Sequence, residues 1–147
     1  MAAVAATIDI DRPVAEVFAY ATDPSRFHEW QKGVIAGHLD APDGPGIGAQ
    51  CVSTRRIGFA DRPVTSVITH FDPPRRWGVN GVDGPIRARV EVVVEPLTDR
   101  RSRLTITLDF AGHGIGRVLV PLVVVPEARK EMPENLAKLS QQLHRPA

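Results

Sequence analysis

The chain has 147 residues, of which 43% are hydrophobic and 24% are charged. This length and composition predict one folded domain over residues 1–147 and exclude a disordered chain. Eighteen Lys and Arg residues balance 17 Asp and Glu residues, so the net charge of +1 gives no general attraction to nucleic acid. The single cysteine, Cys51, excludes an intramolecular disulfide and a multi-cysteine metal site.

The chain begins with a predicted strand at residues 4–10, which alternate in their second half. Val14, Val17, Phe18 and Ala21 follow at the spacing of one apolar helical face. A second short helix is predicted after Asp23-Pro24, because an acidic N-cap and an early proline favour a helix start. This second helix carries Phe27 and Trp30.

From Lys32 onward the hydrophobic period changes to two, which predicts a series of strands. The turn residues between them include 60–62, 72–74, 83–85 and 98–100, and connections this short require antiparallel neighbours. In the last two strands one face is apolar and the other polar, so we expect the sheet to be buried on one side only. The six predicted strands are residues 33–40, 49–57, 64–72, 76–82, 86–97 and 102–111.

A long helix is predicted from about Arg117 to Leu143, because apolar residues recur there at steps of three and four. Since proline removes a helical hydrogen bond, we expect a kink at Pro126 or Pro133. The apolar residues of this helix are Leu122, Val125, Met132, Leu136, Leu139 and Leu143. A sheet that curls around this one helix leaves a space between them, and such apolar cavities bind small molecules.

Several segments of the chain are typical of one superfamily. They are residues 8–18, Thr22-Asp23-Pro24 leading to Glu29-Trp30, and residues 71–77, 98–108 and 128–139. With the element order, they make the chain resemble the START-like helix-grip (SRPBCC) superfamily, and within it bacterial proteins similar to polyketide cyclases and dehydrases. The resemblance implies an α+β helix-grip fold, in which a curved antiparallel sheet of six to seven strands wraps around a long C-terminal helix, with two short helices after the first strand.

The cavity and the resemblance together predict binding or carriage of a small hydrophobic or amphipathic ligand. Two alternatives stay open: a cyclase or aromatase that uses the same cavity, and a growth-regulating module that binds another protein. The residues predicted to contact the ligand are Trp30, Arg55, His70, Trp77, Val90, Val92, Ile106, Leu108, Phe110, Leu122, Val125 and Met132.

Three polar residues are candidates for chemistry in the cavity. Arg55 is either a ligand contact or a solvated surface arginine, and His70 is either an inward-pointing base or an ordinary strand histidine. Cyclases of the superfamily are thought to use an arginine and tyrosines in the cavity, and this chain has a single tyrosine, Tyr20. Trp30 and Trp77 suit a cavity wall and a packed core equally. The sequence identifies no catalytic residue.

No metal or cofactor site is predicted. The five histidines lie far apart in sequence, without the spacing of metal ligands. The run of residues 112–116 has Arg117 where a phosphate-binding loop needs its third glycine. The longest apolar stretch, residues 118–125, is far shorter than the roughly 20 residues that cross a bilayer. The N-terminal residues lack a secretory signal. We therefore expect a cytoplasmic protein with no integral membrane segment and no nucleic-acid partner, while the oligomeric state stays open.

Overall fold

The computed structural model describes residues 3–57 and 59–145 and has the predicted α+β architecture. Strand β1 (Ala3–Ile10) is followed by helix α1 (Val14–Ala21) and a 3-10 helix (Pro24–Glu29). Six further strands then follow in an unbroken series. They are β2 (Val34–Asp40), β3 (Gln50–Ile57), β4 (Ala60–Asp72), β5 (Arg76–Gly81), β6 (Ile86–Thr98) and β7 (Arg101–Gly112).

The seven strands form one antiparallel sheet in the order β1-β7-β6-β5-β4-β3-β2. Strands β2 to β7 pair with their sequence neighbours, as the short predicted turns require. Strand β1 adds to the far edge beside β7, so the sheet stays open with β1 and β2 at its edges. The predicted turn at residues 60–62 is wrong, because these residues pair with β3 and extend β4 at its start.

The register places the apolar residues of the central strands on one face, which we call the inner face. Val92 lies opposite Trp77 on β5 and Ile106 on β7, and all three are buried. In the next row Val79, Val90 and Leu108 lie side by side. The alternation that the sequence predicted for β6 and β7 is therefore confirmed, and it defines which side of the sheet is covered.

The C-terminal helical segment covers the inner face. It consists of the single turn α2 (Gly116–Leu119), a π-helical turn (Val120–Val124) and α3 (Val125–Leu143). Helix α3 buries Val125, Met132, Leu136 and Leu139, whose spacing of seven, four and three residues gives one apolar stripe. This stripe joins the apolar residues of β1, α1 and the central strands in one core.

The irregular part of this segment is the π turn at Val120–Val124, whereas the sequence predicted a kink at Pro126 or Pro133. Pro133 lies inside α3, and Pro126 lies in the first turn of α3, directly after the π turn. The π turn contains Pro121 and ends directly before α3. Wider turns of this kind are one way in which a helix accommodates an altered hydrogen-bond pattern.

The π turn also changes which residues face the sheet. Leu122 was predicted to line the cavity, but its side chain is 70% exposed, so that prediction is wrong. The spacing of an ideal α-helix relates Leu122 to Val125, and a π turn does not keep that spacing. Together with Leu122, the exposed large apolar residues of this region are Ile115, Val118 and Val123.

A close backbone approach joins β2 to the 3-10 helix. A Cβ atom at Gly37 would overlap the carbonyl oxygen of Pro24. We therefore expect Gly37→Ala to lower the free energy of unfolding by about 1–3 kcal/mol, the usual cost of forcing atoms into packed structure. Urea unfolding measures this. Gly46→Ala is the control, because open space surrounds Gly46; equal losses in both variants would contradict the expectation.

The burial of α3 gives a second prediction. Leu139 is fully buried, so Leu139→Ala should cost about 2–5 kcal/mol of unfolding free energy. Leu122→Ala removes the same atoms from an exposed position and should change the free energy of unfolding by less than about 0.5 kcal/mol. Thermal or urea unfolding of the two variants provides the comparison. A large loss for Leu122→Ala would show that its side chain is packed rather than exposed.

Candidate functional site

The inner face contains polar groups on its β3 side. Cys51 and Ser53 are buried there, and Arg55 follows them on the same face of the strand. The register supports this, because Cys51 pairs with Ser66 and Ser53 with Val64. The alternation along β3 thus places a thiol, a hydroxyl and a guanidinium in one line toward the covered side of the sheet.

Arg55 is the central charged group of this side. Its Nε donates to Ser53 Oγ at 3.2 Å and its Nη2 donates to Gln31 Oε1 at 3.3 Å, and both acceptors are neutral. Among residues 3–57 and 59–145, no carboxylate lies within 4.0 Å of its guanidinium. Burial by the surrounding protein lowers the pKa of Arg55, while the charge of Glu131 acts in the opposite direction. Arg55 nevertheless keeps partial contact with solvent, so its guanidinium lies in a recess.

Glu131 brings an acidic group of α3 into the same region. Burial is the main cause that raises its pKa, and the nearby charge of Lys32 lowers it in part. The backbone N–H of Lys32 donates to Asn135 Oδ1 of α3 at 3.1 Å, which fixes the end of the 3-10 segment against the helix. The recess around Arg55 is therefore bounded by β3, by the residues after the 3-10 helix and by α3.

The two tryptophans belong to the packed core. Trp30 and Trp77 are 4% and 3% exposed, and Phe27 contacts both rings edge to face, with centroids 6.0 and 6.3 Å away. Aromatic packing of this kind stabilises the junction of the 3-10 helix with the sheet. The Trp30 Nε1–H is buried and has no acceptor among the described residues, which is uncommon for an indole donor.

The other predicted lining residues divide into two groups. Val92, Ile106, Val125 and Met132 are fully buried within the core. The predicted lining residues toward the start of β6 and the end of β7 are only partly buried and pack against this core. They are Val90, Leu108 and Phe110.

His70 does not lie in this region. A register shift between Ile68 and His70 separates it from the inner-face pattern, and it pairs with Gly78. A Cβ atom at Gly78 would meet the His70 ring, so both residues lie on the outer face. The prediction that His70 contacts a ligand in the cavity is therefore wrong.

Tyr20 is held in a structural network. Its hydroxyl donates to Glu29 Oε1 at 2.9 Å, and Arg26 lies 5.1 Å from its ring centroid and 3.5 Å from the same carboxylate. Burial, followed by the hydrogen bond to Glu29, raises the pKa of Tyr20. A neutral, hydrogen-bonded phenol next to a carboxylate is engaged in the packing of α1 against the 3-10 helix.

Within the described residues, no three His, Cys, Asp or Glu side chains come together in a group that would hold a metal ion. In the same part of the chain, no helix is long and apolar enough to cross a membrane.

These features define a helix-grip protein: an open antiparallel sheet with a long C-terminal helix on its inner face. By its sequence the chain belongs to the family of polyketide cyclases, dehydrases and lipid-transport proteins, whose model matches residues 1–144. No curated protein matches the chain in sequence.

Solved structures share the fold at low sequence identity. The protein TTHA0849 from Thermus thermophilus superposes with a TM-score of 0.74 at 18% identity, covering 97% of both chains. A START superfamily protein from Mycobacterium smegmatis superposes with a TM-score of 0.70 at 15% identity, and the match covers 96% of this chain and 93% of that protein. The Zhui aromatase/cyclase from Streptomyces sp. R1128 superposes with a TM-score of 0.68 at 16% identity, and the match covers 97% of this chain and 90% of that protein. At these identities the likeness concerns the fold.

Cys51 gives a test of the inner-face packing. Burial raises the pKa of its thiol to about 11 from 9.0, so the reactive thiolate is scarce at pH 8. A rise of about two pKa units lowers the fraction of thiolate about 100-fold. A disulfide reagent should therefore label Cys51 about 100-fold more slowly in the folded protein than in urea. Because the folded pKa is the higher one, the contribution of this thiol to stability is present below pH 9 and is lost between pH 9 and 11.

The labelling rate at pH 8, with and without urea, checks this expectation. Equal rates would show that Cys51 is accessible. The Cys51→Ala variant is the control for the stability measurement, since it should lose the part of the pH dependence that begins at pH 9, while the contribution of Tyr20 above pH 10 remains.

Proposed function

We propose that this protein binds a small amphipathic molecule with an acidic head group between the inner face of its sheet and the C-terminal helix. The observation that carries this proposal is Arg55, a guanidinium in a recess whose direct hydrogen-bond partners are both neutral. An arginine surrounded by protein is costly without a counterion, and an anionic head group would supply one. Membership of a family that includes lipid-transport proteins supports the same proposal.

The apolar part of such a ligand has a matching surface. Val90, Leu108 and Phe110 lie on the inner face and are only partly buried. Transfer of a hydrocarbon tail onto surface of this kind contributes about 25 cal/mol per Å² of buried apolar area. The donor side and the apolar side together favour a molecule that has an anionic end and a hydrophobic body.

The indole N–H of Trp30 is a second hydrogen-bond donor that a ligand could use. Its indole N–H lacks an acceptor among the described residues and belongs to the residue next to Gln31, which holds the Arg55 guanidinium. Since buried donors are usually satisfied, an acceptor atom of a ligand is one explanation of this unpaired N–H group.

Binding is favoured over catalysis by the positions of the other candidate groups. His70 lies on the outer face and Tyr20 is hydrogen-bonded to Glu29, so of the three polar candidates only Arg55 is left in the recess. A cyclase or aromatase activity would need a group that moves a proton as well as one that binds an anion. Glu131 on α3 is an ionisable group whose charge acts on Arg55.

A protein-interaction role is the second candidate. Ile115, Val118, Leu122 and Val123 expose more than half of their surface in one stretch, and exposed apolar patches often mark contact surfaces. This observation favours a partner on the outside of the C-terminal segment, and it does not conflict with a ligand inside.

The binding proposal is tested with two ligands that share one tail, dodecanoate and dodecanol. Because Arg55 pairs with the carboxylate, dodecanoate should bind about tenfold more tightly than dodecanol. Arg55→Gln should remove this difference while leaving dodecanol binding unchanged. Displacement of a fluorescent fatty acid measures both affinities.

Arg56→Gln is the matched control, because Arg56 is the next residue on the opposite face and pairs with Asp61 at 2.9 Å. Glu131→Gln should tighten dodecanoate binding, since it removes a competing negative charge near Arg55. Failure of both ligands to bind, or an equal loss of dodecanoate binding in the Arg55 and Arg56 variants, would refute the proposal.

A further inference from the structure

The outer face of the sheet carries two adjoining depressions that lie on the opposite side from the proposed cavity. One, of about 410 Å³, is lined by residues of β4 to β7. The other, of about 230 Å³, extends toward the end of β7 and His113. Asn80, Arg89 and Asp109 line both, so the two depressions meet at Arg89.

The shape follows from the sequence of β5. Gly78 and Asn80 are the outer-face residues of this strand next to β6, where they pair with Glu91 and Arg89. The His70 ring lies over Gly78 and occupies the space there. The depressions therefore open at Asn80, whose short side chain lies beside the longer Arg89.

The groove contains arginine donors that the protein leaves free. Arg89 makes no side-chain hydrogen bond and no ion pair with any residue in 3–57 or 59–145, although Asp109 is its cross-strand neighbour. Arg87 lies two residues away on the same face and donates only its Nε, to Gly84 O at 3.2 Å. Residues i and i+2 of a strand are about 7 Å apart, so two side chains as long as arginine at these positions can reach the same oxyanion.

The groove also contains two acidic residues, Glu91 and Asp109, and the unpaired charge of Asp109 opposes an anionic ligand. Glu91 is neutralised by Arg76 at 3.0 Å. Asp109 Oδ1 is shielded and has no hydrogen-bond partner among the described residues. Opposite Arg87 lies Ala111, whose small side chain leaves the space between β6 and β7 open.

We propose that this outer groove is a second binding site, for a small hydroxylated molecule that ends in a phosphate or carboxylate group. Arg87 and Arg89 bind the anionic end. Thr69, Asn80 and Thr107 of the larger depression provide the hydroxyl and amide groups that bind the hydroxylated part. The charged and hydroxylated side chains in its lining distinguish this site from the apolar rows of the inner face, so we expect its ligand to differ from an amphipathic molecule.

Amide chemical shifts of the full ¹⁵N-labelled chain test this site at constant ionic strength. The probes are glucose 6-phosphate and gluconate, with glucose as the neutral control. At least one anionic probe should produce saturable shifts at Arg89, Asp109 and Ala111, and glucose should not. Which probe saturates identifies the phosphate or the carboxylate as the recognised group.

Arg89→Gln should weaken the binding at least about tenfold, as loss of a charge-assisted contact does, and Asp109→Asn should tighten it. Arg100→Gln is the charge-matched control, because Arg100 lies in the β6–β7 turn at the other end of the strands and should have no effect. Arg55→Gln should also have no effect, which separates this site from the inner recess.

Three results would overturn the proposal: shifts that stay linear with concentration, equal effects of the Arg89 and Arg100 variants, or shifts confined to the inner face. A dispersed spectrum of each variant shows that it is folded. If Arg89→Gln unfolds the chain, Arg87→Gln answers the same question, and retention of full affinity in that variant contradicts the site.

Discussion

The packing of the α3 stripe against the inner face is the interaction on which the structure depends. Met132, Leu136 and Leu139 are buried there, and Leu139 has no solvent contact at all. Helix α1 also packs against β6 and β7, but without α3 much of the inner face would be exposed to water and would lose its hydrophobic stabilisation. Because the helix covers one side of the sheet, the polar residues on that side lie in a less polar environment than those on the other side.

The environment explains why Arg55 and Arg89 have different chemistry although both are strand arginines without a carboxylate partner among the described residues. Arg55 lies under the helix, where low polarity strengthens any charge interaction that it makes. Arg89 lies on the wet face, where solvent screens the interaction and several donors must cooperate to bind an anion. The same residue type therefore suits an amphipathic ligand on one face and a fully polar ligand on the other.

The fold could be predicted from the sequence almost completely, and the site only in part. Alternation in β6 and β7 is a local signal with period two, so it identified the buried face directly. His70 was predicted on the wrong face because the register shift after Ile68 changes the face, and a bulge leaves no regular mark in the pattern. Leu122 was misplaced for an analogous reason, since a π turn alters the angular position of each residue near it. The partners of Arg55 and Tyr20 come from distant or adjoining elements and follow only from the three-dimensional packing.

The contact between the 3-10 helix and Gly37 has a consequence for how the protein behaves at high concentration. Strand β2 is the end of an open sheet, and its unpaired backbone groups are a template onto which another chain can add. Pro24 lies against this strand. The register of β2 is irregular between Val34 and Ala36, and His38 and Asp40 are polar residues of the same strand. These features protect the border of the sheet from the intermolecular β-pairing that leads to aggregates.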